Sequence, residues 1–181
     1  ESREQMCYYD EKKFVETIGN DFERIVRDLM KKPLNIVYTD QLPRNEYIAN
    51  EHKKTSVGFH HTVSELGKFV DDYFASDRGA SQVAVPFVLD KDGLIYFLFD
   101  PKFYAWHLAS GDGGAKDKSS IGIEVVNEGY LNNLGKTWFD GKYVYRGVPV
   151  KLPKPWRQQQ YFASYTIEQV LGLIHLTFWI F

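Results

Sequence analysis

The chain has little that would tie it to a membrane, to nucleic acid or to a disulfide framework. Cys7 is the single cysteine in 181 residues, so no internal disulfide can form and the redox compartment is not indicated. No apolar run reaches the roughly 20 residues that a membrane-spanning helix needs. The formal net charge is only -2, with no long block of one sign, which gives no electrostatic footprint for nucleic acid. There is no His-Glu-x-x-His and no cysteine pair, which removes the sequence-local zinc signatures. Internal repeats and low-complexity segments are also missing. The sequence opens on Glu1 rather than Met and shows no signal peptide, so the expectation is that an N-terminal segment, with any targeting signal, has been removed. At the other end, residues 174–181 stop inside an apolar run without a helix stop signal, and a truncated chain is expected there.

What is present suits one domain of ordinary size with a real core, since 44% of the residues are hydrophobic. Aromatic side chains make up 16%, with 12 Tyr, 13 Phe and 4 Trp. Such a content fits a carbohydrate- or peptide-handling surface and fits an aromatic core equally well.

Residues 10–32 read as an amphipathic helix, with Phe14, Ile18, Phe22, Ile25, Val26 and Leu29 at helical spacing and Lys31-Lys32-Pro33 as its stop. A short strand over 34–38 and a polar loop over 41–54 follow. Thr62-Val63-Ser64-Glu65 forms a capping-box pattern ahead of a helix through Phe69, Val70 and Phe74. Two strands, over 82–89 and 94–99, flank the turn Asp90-Lys91-Asp92-Gly93. Residues 110–118 form a loop rich in Gly and charge. Thr166-Ile167-Glu168-Gln169 is a second capping box, opening a helix through Val170, Leu173, Ile174 and Thr177. Residues 130–163, aromatic and basic with three prolines, resist assignment beyond a small hairpin or ordered loop around 138–143. Tyrosines between Tyr143 and Tyr165 are read as core or loop packing in preference to the floor of a sugar site. The whole implies an α/β domain with a mixed central β-sheet flanked by helices.

Two strands carry the chemistry. Side chains alternate along a strand. In 119–129, Ile121, Ile123 and Val125 therefore share one face, and Ser120, Gly122, Glu124 and Val126 the other. In 55–62, Val57, Phe59 and His61 fall on one face and Gly58, His60 and Thr62 on the other. His61 is read as a hydrogen-bonded core histidine. His60 and Glu124 each project from a small-residue face, with room in front. A carboxylate in mid-strand is poor packing material unless paired; a solvated Glu124, or one paired to a lysine, is the competing reading. If the two strands adjoin, an imidazole and a carboxylate look into one cavity, with His107, next to Trp106, at its rim. A catalytic zinc takes three protein ligands and leaves a position for water, but the residues by themselves offer one convincing ligand.

Gly58-Phe59-His60-His61-Thr62 and the run from Ser120 to Gly129 resemble two motifs of the type-2 N-acetylmuramoyl-L-alanine amidases, a family that includes amidase-type phage lysozymes and peptidoglycan recognition proteins. The run from Phe87 to Tyr96 resembles the family's central hairpin, Tyr104-Ala105-Trp106-His107 its Trp-His segment, and Tyr165-Thr166-Ile167-Glu168-Gln169 the start of its later helix. The similarity covers residues 54–181, which divides the chain into an N-terminal helical extension and linker, 1–53, and an amidase domain, 54–181, lacking its C-terminal part.

The resemblance implies a zinc-dependent hydrolase of the amide between N-acetylmuramic acid and L-alanine, acting on peptidoglycan or muropeptides. His60 falls at the first zinc ligand, Glu124 at the carboxylate taken as general base, and Trp106 and His107 where substrate is contacted. It implies that the second and third ligands, a histidine and then an Asp or Cys, lie beyond Phe181, so the 181-residue chain alone is expected to be nearly inactive. His175 is not that histidine; its helical spacing with Leu171 and Phe178 marks a packed residue. Where some relatives carry Tyr or His ahead of the central turn, this chain has Val85 and Pro86. A non-catalytic muropeptide-binding module of the same fold is the alternative. A monomer is expected, in the cell envelope, secreted, or as a phage endolysin.

Overall fold

The computed structural model describes residues 21–38, 41–63 and 82–181. The N-terminal part of the expected helix over 10–32 lies outside these residues. So does the helix expected after the Thr62 capping box. Within them the chain forms two compact units.

One unit comprises Ile36–Asp90 and Leu94–Val126. It holds a mixed five-stranded sheet built from β1 (Ile36–Val37), β2 (Ser56–His61), β3 (Phe87–Leu89), β4 (Ile95–Phe97) and β5 (Ser120–Val125). The spatial order is β1-β4-β3-β5-β2. Only β3 and β4, joined by the expected tight turn, run antiparallel; β1 with β4, β3 with β5, and β5 with β2 are parallel. The edge strand β1 comes from the segment ahead of residue 54.

Strands buried on both faces read as continuous apolar runs, and β3 is such a strand, with Phe87, Val88 and Leu89 all fully buried. Ile95 and Ile123 are equally inaccessible, and Ile121 and Val125 nearly so, as the alternation of β5 predicts. Ala84, Val85, Val88, Leu98, Phe99, Ala105 and Val126 gather with Leu42 into one cluster. Burial at this level is worth about 1.5–3 kcal/mol per large aliphatic or aromatic side chain. The apolar row of β2 is less enclosed. That strand is a sheet edge, where Phe59 stays 55% exposed and His61 is half-buried, so His61 is not the enclosed core histidine expected for it.

The charged loop expected over 110–118 contains a short helix, α2 (Ala115–Ser119), the first helix in chain order being α1 (Phe22–Leu29) of the other unit. Asp112 organises its start by accepting hydrogen bonds from the backbone N–H groups of Gly114 and Lys116, at 3.1 and 3.2 Å.

The second unit comprises, among described residues, the chain up to Asn35, Lys91–Gly93 and Asn127–Phe181. Residues left unassigned by sequence form here an antiparallel four-stranded sheet. Its strands are β6 (Tyr130–Asn132), β7 (Thr137–Trp138), β8 (Pro149–Trp156) and β9 (Gln159–Ala163), in the order β7-β6-β9-β8. The hairpin around 138–143 is present, closed by the Trp138 N–H donating to the Tyr143 carbonyl at 2.9 Å. Helix α3 (Ile167–Ile180) starts on the expected capping box. The Gln169 N–H donates to Thr166 Oγ1, and the Thr166 N–H to Gln169 Oε1, both at 3.0 Å. His175 is a packed residue of this helix, 7% exposed. The last turn leaves Phe178, Trp179 and Phe181 exposed, an apolar edge. No helix among the described residues is long and apolar enough to cross a membrane.

Candidate active site

The register of β2 on β5 builds the site. Because the two strands are parallel and paired Ser56 to Ser120, Gly58 to Gly122 and His60 to Glu124, each pair lies side by side on one face of the sheet. On the opposite flank of Glu124 stands Val88 of β3, an apolar neighbour. His60 and Glu124 are therefore adjacent side chains, as a shared cavity requires.

Glu124 has no cation or donor among the described residues to account for it: its Oε2 is buried and accepts no hydrogen bond. Burial beside apolar side chains disfavours the ionised form and pushes its carboxyl up to about 7. An unpartnered carboxylate with that affinity for protons is poised to give or take a proton near neutrality. Among the described residues Glu124 forms no salt bridge. The neighbouring Glu128 is the paired one, with the Lys91 ammonium against its Oε1.

His60 points at His107. Its Nε2 lies 3.0 Å from His107 Nδ1, the rings being nearly perpendicular. The other nitrogen of His107, Nε2, is 3.0 Å from Ser120 Oγ. Ser120 in turn donates to the Lys116 carbonyl at 2.7 Å. Both imidazoles are held neutral by burial, His107 strongly so, with its pKa lowered to about 4.

The loop carrying His107 is pinned from below. Asp117, 2% exposed, accepts hydrogen bonds from the backbone N–H groups of His107 and Leu108 at 2.7 and 2.9 Å through one carboxylate oxygen. Gly58 and Gly122 supply the space. A β-carbon on Gly122 would sit 2.5 Å from Val85 Cγ1 and 3.0 Å from His107 Nδ1, and one on Gly58 would be 3.2 Å from His107 Cε1. Val85 and the His107 ring thus lie directly on the two small residues. Lys54 is half-buried, donates to the Lys118 carbonyl at 2.9 Å, and has its pKa lowered by burial to about 8.

Trp106 has different partners. Its ring packs against Gly114, where a β-carbon would have no room, and meets Tyr104 edge-on at 5.8 Å. It is half-buried packing in this structure, while His107 joins His60. Asp117 and Lys54 are the polar residues that sequence reading passed over, and Ser120, expected on the small-residue face beside Glu124, is the partner of His107. Asp117, one charge in the loop expected over 110–118, held no signal without the fold.

A zinc ion accepts imidazole nitrogen and carboxylate oxygen, and His60 and Glu124, register partners on neighbouring strands, offer those donor types. His60 Nε2 would hold such an ion by giving up its contact with His107 Nδ1. Among the described residues no three His, Cys, Asp or Glu side chains converge. The residues therefore fit one corner of a metal site.

A neutral imidazole and a proton-accepting carboxylate on a glycine-lined strand pair are equipment of a hydrolytic enzyme. The family model described as N-acetylmuramoyl-L-alanine amidase (Amidase_2) matches residues 50–175, more than half of the chain, and the chain belongs to that family. Among solved structures it is similar to a mutant endolysin from Bacillus subtilis, at 24% identity over 52% of this chain and 62% of that one, with a TM-score of 0.40. It is similar also to the N-acetylmuramoyl-L-alanine amidase LysC from Clostridium intestinale, at 21% identity over 52% and 60%, TM-score 0.38. A third is the peptidoglycan recognition protein PGRP-Hd from Alvinella pompejana, at 19% identity over 56% and 66%, TM-score 0.34. The matched part spans less than two thirds of the length of the endolysin and of LysC. No curated protein matches the chain.

Proposed function

We propose that the protein hydrolyses the amide between the lactyl group of N-acetylmuramic acid and L-alanine, in peptidoglycan or its fragments, with Glu124 as general base and His60 as a zinc ligand. Membership of the amidase family supports the reaction class. The observation that carries the assignment of residues is the register pairing of His60 with Glu124 on one glycine-lined face.

Zinc, when bound, supplies Lewis acidity toward the scissile carbonyl and lowers the pKa of the attacking water. Glu124, the register partner of His60, takes the water's proton and returns it to the leaving amine of L-alanine. Its apolar flank, Val88, excludes competing donors, so the carboxylate keeps the proton affinity that this exchange needs. His107, carried on the loop that Asp117 pins, borders the same space and presents its ring edge to the stem peptide. Trp106 holds that loop by packing on Tyr104 and Gly114, and substrate contact by its exposed edge is part of the proposal.

The reading is tested with Glu124→Gln. Release of L-alanyl peptides from purified muropeptides should fall by about 10²–10⁴-fold, while zinc content measured by metal analysis is unchanged. Unaltered turnover removes Glu124 as the base.

A further inference from the structure

The sheet of β6 to β9 takes no part in the site described above, yet it carries a row of aromatic side chains. Tyr130 and Phe162 are register partners on neighbouring strands and so share a face. Phe139 meets Tyr130 at 5.5 Å between ring centroids, and Trp156 meets Phe162 at 6.2 Å. The four rings thus run in the order Phe139, Tyr130, Phe162, Trp156, and with strands about 4.8 Å apart the row is on the order of 15 Å long. The two outer rings are open to solvent, Trp156 at 52% and Phe139 at 36% exposure, and the inner two are half-buried. Within each pair the ring planes are tilted, by 51° and 55°, and not stacked.

The segment is also basic. Between residues 130 and 165 stand Lys136, Lys142, Arg146, Lys151, Lys154 and Arg157 against Asp140 alone, in a chain whose net charge is -2. Arg157 lies over the Trp156 ring at 4.6 Å. It sits with Gln158 at the tip of the β8–β9 hairpin, both at positive φ, +48° and +68°. Such a turn ordinarily takes Asn-Gly. Non-glycine residues in that conformation are strained and gather at functional positions.

We propose that this face binds the glycan strand of polymeric peptidoglycan. Sugar rings have apolar C–H faces that stack on exposed aromatic rings, and a row several sugars long engages a polymer better than a single muropeptide. The Arg157 guanidinium beside Trp156 matches the carboxylates of the stem peptides that the strand carries. The proposal rests on the amidase reading for its choice of polymer. It makes intact wall the substrate form in which the chain is retained.

The test is cosedimentation of the chain with sacculi stripped of teichoic acid, with insoluble chitin as the neutral polymer. The parent chain should sediment with sacculi and less with chitin, and 0.5 M NaCl should weaken retention several-fold. Trp156→Ala combined with Phe139→Ala should raise the apparent Kd for sacculi at least tenfold, whereas Trp156→Phe, which keeps a ring, should stay within about threefold of the parent. A thermal transition checks folding. If the double variant does not fold, Arg157→Glu at the exposed tip reads the same surface and should weaken binding at least threefold. Retention of a folded double variant at the parent level overturns the proposal. So does binding that depends on teichoic acid, or equal affinity for chitin. Glu124→Gln should sediment like the parent, so loss of the amidase reading would show in muropeptide hydrolysis and leave this readout intact.

Discussion

His60 donates to His107. The direction follows from the far end of the contact chain: the Lys116 carbonyl can only accept, so Ser120 Oγ spends its one hydrogen there and must accept from His107 Nε2. His107 then carries its proton on Nε2, its Nδ1 has a lone pair, and the proton between the rings belongs to His60 Nε2. A metal bound through His60 Nε2 has to displace that proton. Long-range ¹H–¹⁵N spectra of the metal-free chain should show both imidazoles as Nε2–H tautomers. Adding zinc should remove the His60 signal and leave His107 as it was. Persistence of both signals with zinc bound would place the metal elsewhere.

Glu124 gives the metal-free protein a specific pH dependence. Its pKa is near 7 in the fold and near 4.5 in the unfolded chain, so the native state binds the proton more tightly. Stability from this group is therefore fully present below about pH 4.5, falls as pH rises, and is lost above pH 7. The difference corresponds to about 3 kcal/mol at most. In the presence of a chelator, Glu124→Gln should raise the thermal midpoint at pH 8 and change it little at pH 4.5. An equal shift at both pH values would mean that the gain is packing and not proton affinity.

The alternation of β2 and β5 was readable because a strand has a period of two, and it put His60 and Glu124 on small-residue faces without any knowledge of pairing. That the strands adjoin in a register setting His60 against Glu124 is a long-range fact, which no local pattern encodes. His107 was readable as a neighbour of the site but not as the partner of His60, because a loop has no period to aim its side chains. Asp117 looked like one more charge in a solvated loop. The β8 strand was hidden by Pro149, Pro153 and Pro155, residues that argue against a strand. They are tolerated because β8 is the outer strand of its sheet, where a missing N–H costs no ladder bond on the open side.

Gly122 tests whether the small-residue face is a requirement. A methyl group there would meet Val85 Cγ1 at 2.5 Å and His107 Nδ1 at 3.0 Å, and Val85 is 1% exposed, with little freedom to retreat. Gly122→Ala should destabilise the fold by about 1–3 kcal/mol, as overpacking of a tight interior does. Chemical denaturation measures it. Val85→Ala in the same chain should return part of that loss by clearing the nearest contact. Additive losses in the double variant would show that the clash is relieved in another way.

Asp117 tests what holds the His107 loop. Its carboxylate oxygen takes two part-buried backbone N–H groups. Hydrogen bonds to a charged acceptor contribute about 1.5–3 kcal/mol, and stranded buried donors cost about as much. Asp117→Ala should therefore be strongly destabilising. Asp117→Asn keeps an oxygen acceptor in place and loses only the charge assistance, so it should recover most of the stability. The same pair of variants separates anchoring from bulk stability. In Asp117→Asn the amide protons of His107 and Leu108 should remain protected from hydrogen exchange, and in Asp117→Ala they should exchange far faster than those of β3 in the same unit. Equal exchange in both variants would mean that the loop is held by its neighbours and not by this carboxylate.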